Sequence, residues 1–154
     1  MFEHIQNRQA LTAVIIFAFL LSACAGKDDV APADVEKQAF EDLRAAVRDA
    51  VDDPEREAEA VRLVDQLERD LADLRTRISD RRKTVNALNA DYDTPREDFE
   101  KYLADVAKQI RENRQVVSRT QQALEKAITD DESAAIAGAH TDAMQAAVAA
   151  IQAI

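Results

Sequence analysis

The chain has 154 residues, and its 20 Lys and Arg against 30 Asp and Glu give a formal net charge of −10. That length makes one domain, and an acidic surface with scattered cations is unsuited to nucleic acid, whose binding relies on neutralised phosphates. Two glycines, no tryptophan and a wealth of Ala, Leu, Glu, Arg and Gln argue against sheets and tight turns and for helix throughout.

The chain opens with a short polar stretch containing Arg8, followed by an uncharged run from Ala10 to Leu21. The run is too short for a comfortable transmembrane helix, which needs about 20 apolar residues. It ends in Leu21-Ser22-Ala23-Cys24: an aliphatic residue, two small ones, and the only cysteine of the chain. An ordinary secretory signal shares the polar and apolar regions and the small cleavage residues; the cysteine at the boundary sets this one apart. These residues resemble the lipobox of bacterial lipoprotein precursors. The resemblance covers the first 24 residues and implies a signal peptide over 1–23, cleavage between Ala23 and Cys24, and lipid on the Cys24 thiol. Ala25 stands where aspartate signals retention at the inner membrane, so the resemblance implies the periplasmic face of the outer membrane. Two or more acyl chains would anchor the chain stably. Residues 24–33 then read as a polar lipidated tether, with Pro32 opposing helix, and 34–154 as a single helical domain.

A first helix is expected over about 35–51, capped by Asp34, with Val35, Ala39/Phe40, Leu43, Ala46/Val47 and Ala50 as its apolar stripe. Asp53 and Pro54 have the chemistry of an N-cap and a first helical residue. The second helix runs over about 54–89, and its apolar residues alternate three and four apart: Ala60, Val64, Leu67, Leu71, Leu74, Ile78, Val85 and Leu88. That is a heptad seam, interrupted by Arg81. Thr94-Pro95-Arg96-Glu97 offers a capping box for a third helix over about 95–128. Its expected seam is Phe99, Leu103, Val106, Ile110, Val117, Leu124 and Ala127, with Asn113 and Thr120 as polar interruptions. Thr129 and Glu132 form a second capping box, opening a helix over about 132–153 with Ile136, His140, Ala143/Met144, Ala147 and Ile151 on one face.

The fold class expected is therefore all-α. Two long helices joined by a short turn make an antiparallel coiled-coil hairpin. Asp65, Glu68, Asp70 and Asp73 on one arm should face Lys108, Arg111, Arg114 and Arg119 on the other, which would select the register. The two shorter helices should pack on the open end as a four-helix base, leaving a bare tip around residues 80–107 that points away from the membrane.

Little in the sequence carries chemistry. His140 is the only histidine after Cys24, and no residue near it completes a metal set at a usable spacing. The serines have no second histidine with which to build a nucleophilic set. No catalytic residue, metal or cofactor is assigned. Arg81 is expected to extend to Asp105 on the facing helix. Arg81, Arg82 and Lys83, with Tyr92 and Phe99 beside the turn, make a candidate partner-binding tip. The expected function is that of a lipid-anchored, non-enzymatic structural or protein-interaction module, touching the membrane through the lipid on Cys24 and a protein partner elsewhere. Self-association through the hairpin is a further candidate. Two alternatives are a periplasmic holdase chaperone and an envelope tether. The chain lacks the Leu-Thr-x-x-Gln signature of one family of small helical chaperones. It ends in Ile154, whereas the major murein lipoprotein ends in the lysine it joins to peptidoglycan.

Overall fold

Pro32 starts the first helix, at a position where its missing N–H costs nothing. The computed structural model describes residues 31–91 and 93–154. Four α-helices follow in order: α1 Pro32–Ala50, α2 Pro54–Ala90, α3 Arg96–Ala127 and α4 Asp130–Gln152. Pro32 and Ala33, expected in the tether, are thus helical. Asp34 lies in the first turn of α1 instead of capping it, where its charge suits the helix dipole.

Two helix starts follow the sequence closely. Asp53 accepts a hydrogen bond from the Arg56 amide at 2.8 Å, with Pro54 opening α2. At α4 the Glu132 carboxylate accepts from the Thr129 amide at 2.7 Å, and the Thr129 hydroxyl accepts from the Glu132 amide at 3.3 Å. The start of α3 differs from expectation. Asp91 accepts the Asp93 amide on its side chain and the Thr94 amide on its carbonyl. This shifts the helix entry by one residue, so that Pro95 becomes an N-cap with no side chain able to accept a bond and Thr94 forms no capping box.

The hairpin and the four-helix base are present. α2 packs along α3 and α1 packs along α4, while α2 bridges the two pairs. The core lies in the base: Phe40, Leu43, Val47 and Val51 meet Ala60, Leu63, Val64, Leu67 and Leu71, closed by Leu124, Ile128, Ile136, Ala143 and Ala147. Among the described residues between 72 and 112 none is buried, so the outer hairpin is held by its own half-covered seam.

Ion pairs fix how α1 lies on α2. Arg44 binds Asp65 at 2.7 Å and also Glu68, while Glu36 near the start of α1 binds Arg75. As α1 climbs back toward its start, its partners move from residue 65 to residue 75 of α2. α1 is therefore antiparallel to α2, and its N-terminal end stands at mid-hairpin, on the tip side of the base. Glu36, only 5 % exposed, occupies the inner stripe with Phe40, Leu43 and Val47, whereas Val35 is 46 % exposed. The 3–4 spacing from Phe40 runs back to 36, not 35.

The charge blocks expected to join α2 to α3 behave differently from expectation. Among the described residues no ion pair crosses between these two helices. The hairpin is instead joined by neutral or singly charged hydrogen bonds: Arg77 to Asn113 at 3.0 Å, Thr120 to Asp70 at 2.6 Å and the Tyr102 hydroxyl to the Arg81 carbonyl at 3.1 Å. The acidic arm of α2 is used by Arg44 of α1, a partner invisible when only the hairpin is considered.

Candidate functional site

Cys24 and Ala23 lie outside the described residues, as does Tyr92. The remaining tip residues do not converge on one patch. Lys83 is paired within its own helix to Asp80 at 3.2 Å, and Arg82 donates to the Ile154 carbonyl at the end of the chain. Phe99 is half-buried in the seam. Arg81 does not pair with Asp105. It is half-buried, and its Nη1 is buried without a hydrogen-bond acceptor.

The expected α3 seam holds at Phe99, Val106, Asn113, Val117, Thr120, Leu124 and Ala127 and departs at two positions. Leu103 and Ile110 are 49 % and 47 % exposed, while Tyr102 and Gln109 take the half-buried positions and Asn113 is 7 % exposed. Leu103 and Ile110, seven residues apart, thereby face outward, while Val117 is half-buried against the core. α3 and α4 make little contact, so on this side the bundle is open.

A groove of about 630 Å³ runs along that side of the hairpin. Leu74 and Ile78 of α2 and Ile110 and Val117 of α3 supply its apolar walls, and Arg81, Asn113 and Arg114 its principal polar groups. Although the chain carries 30 Asp and Glu, none lines this groove. Arg81 Nη1 and Asn113 Nδ2 are both buried without a hydrogen-bond partner, and both residues border it. Asn113 holds only its Oδ1 occupied, by Arg77.

Two smaller hollows adjoin. One of about 170 Å³ at the base is lined by Leu124, Ile128, Ile136 and His140. His140 is half-buried there, a wall residue of the base. The other, of about 470 Å³, lies on the outer face of α4 along Met144 and Val148. Gln121 ties the two sides together through its contact with the Met144 sulfur at 3.8 Å.

Electrostatic perturbation is structural in character. Glu132 sits between the Arg56 guanidinium at 2.6 Å and the Thr129 amide, and these hold its carboxyl down at about 2. The nearby carboxylates likewise raise Arg56 and Arg44. Among the described residues no group of three or more His, Cys, Asp or Glu is placed to hold a metal. No described helix is long and apolar enough to cross a membrane.

The groove was not foreseen from sequence, although two of its residues were conspicuous there. Arg81 and Asn113 both interrupt heptad seams; what sequence could not show is that the two interruptions open onto the same side of the hairpin. Compared with protein-family models, with curated proteins and with solved structures, the chain matches none.

Proposed function

We propose that this chain is a lipid-anchored, non-enzymatic helical protein of the bacterial envelope that works by binding, held at the periplasmic face of the outer membrane through Cys24. Leu21-Ser22-Ala23-Cys24 supports the anchor. The observation that carries the binding role is the open apolar side of the hairpin, where Leu103 and Ile110 are about half exposed beside a groove of about 630 Å³. An uncovered apolar stripe beside a groove of this size suits a contact site.

The open groove also favours a second reading, a holdase that shelters unfolding clients. Suppression of aggregation of an unrelated client at near-stoichiometric amounts supports that reading, and its absence supports a dedicated partner or ligand. The anchor is tested by replacing Cys24 with serine. The variant should lose acyl labelling and stay uncleaved by the lipoprotein route. Normal processing of Cys24→Ser would mean an ordinary secretory signal.

A further inference from the structure

The groove on the hairpin combines features that packing alone does not call for. An unpaired buried donor costs about 1–3 kcal/mol, more when charged. Among the described residues only three buried side-chain nitrogens lack a hydrogen-bond partner, and two of them, Arg81 Nη1 and Asn113 Nδ2, belong to residues lining this one groove. Arg114 adds a second guanidinium to the lining. Neither Arg81 nor Arg114 makes an ion pair with a described residue. The walls between them are aliphatic: Leu74, Ile78, Ile110 and Val117.

We propose that this groove binds a single-chain anionic amphiphile, its carboxylate or phosphate head held by Arg81, Arg114 and the Asn113 amide and its acyl chain laid along Leu74, Ile78, Ile110 and Val117. Turning toward the head gives acceptors to Arg81 Nη1 and Asn113 Nδ2, which are buried and unpaired in the unliganded chain. Guanidinium groups suit such anions because their planar N–H donors match the paired oxygens. No acidic residue lines the groove itself; Asp70 and Asp73 line the small hollow that shares Leu74 and Asn113 with it. The volume of about 630 Å³ falls within the usual range of small-molecule sites, about 300–1,000 Å³.

The inference stands apart from the lipid anchor, since the groove lies wholly within α2 and α3. The full chain in phosphatidylcholine nanodiscs is photolabelled with a diazirine-bearing palmitate, and the labelled peptides are identified by mass spectrometry. The label should map to residues 74–81 and 110–121. Free palmitate and lysophosphatidate should both compete, which reports the shared anionic head, while hexadecanol should not. Losing one charged hydrogen-bond partner should lower labelling roughly tenfold, in Arg81→Gln and also in Arg114→Gln. Arg114 is exposed, so its replacement leaves the fold intact even if that of Arg81 does not; unchanged far-UV circular dichroism verifies this. Equal labelling in Arg114→Gln, effective competition by hexadecanol, or label scattered along the chain overturns the proposal. So does a doubling of the chain's mass that shields the groove from the probe, which assigns the surface to a second copy.

Discussion

The pair between Glu36 and Arg75 sets the register of α1 on the hairpin, and removing either partner should have very different consequences. The Glu36 side chain is 6 % exposed and that of Arg75 28 % exposed. Replacing Arg75 with methionine keeps an apolar stem but leaves the Glu36 carboxylate buried without its cation. Breaking a buried pair in this way costs about 3–5 kcal/mol, and the partial exposure of Arg75 reduces the expectation to about 2–3 kcal/mol. Glu36→Leu should instead lie within about 1 kcal/mol of the parent or gain stability, because the buried charge is gone and Arg75 can turn toward water. The double variant Glu36→Leu/Arg75→Met should resemble Glu36→Leu, giving a coupling of about 2 kcal/mol. Urea unfolding followed by far-UV circular dichroism measures all three, against a total stability of about 5–15 kcal/mol for a domain of ordinary size. An Arg75→Met variant within about 0.5 kcal/mol of the parent, or a double variant no better than Arg75→Met, would refute the placement of α1.

Two further outcomes follow from the same structure. Phe40, fully buried in the base, should cost about 3–5 kcal/mol when replaced by alanine, whereas half-buried Leu88 near the tip should cost no more than about 1 kcal/mol; equal shifts in melting temperature would contradict a core confined to the base. The Glu132 carboxyl is lowered from 4.5 to about 2, so the ionised form is favoured in the folded state, and its contribution is complete above pH 4.5 and lost as pH falls toward 2. The parent should therefore lose melting temperature more steeply across that window than Glu132→Gln, and parallel profiles would show that the Arg56–Glu132 contact does not contribute.

How much was legible in the sequence depended on whether one helix or two decided the answer. The long arms, the Asp53 and Thr129 caps and the four-helix base follow from local chemistry and from heptad spacing. Within α1, hydropathy selects Val35, whereas the structure buries Glu36, because Arg75 lies across from it, a fact of tertiary packing. In α3 the series Phe99, Leu103, Val106, Ile110 and the series Phe99, Tyr102, Val106, Gln109 both satisfy three-four spacing. Hydropathy selects the first and the structure the second. The groove was hidden for the same reason, since its walls consist of residues that the first series places inside the seam.

Magnitudes explain why the less apolar seam prevails. Turning α3 to cover Leu103 and Ile110, each about half exposed, would bury the remainder of two aliphatic side chains, for a gain of roughly 2–3 kcal/mol. The same rotation would withdraw Tyr102 from the Arg81 carbonyl, Asn113 from Arg77 and Thr120 from Asp70. Two of those three hydrogen bonds involve a charged group, contributing about 1.5–3 kcal/mol each, and the neutral one contributes about 0.5–1.5 kcal/mol. The hydrogen bonds outweigh the added burial. They hold α3 in the rotation that leaves its aliphatic stripe facing out, and that rotation brings Arg114 and Asn113 to the same groove as Arg81. A seam built from Leu and Ile would give a hairpin with no such groove; the polar residues in the seam of this chain are what keep an apolar binding face available to another molecule.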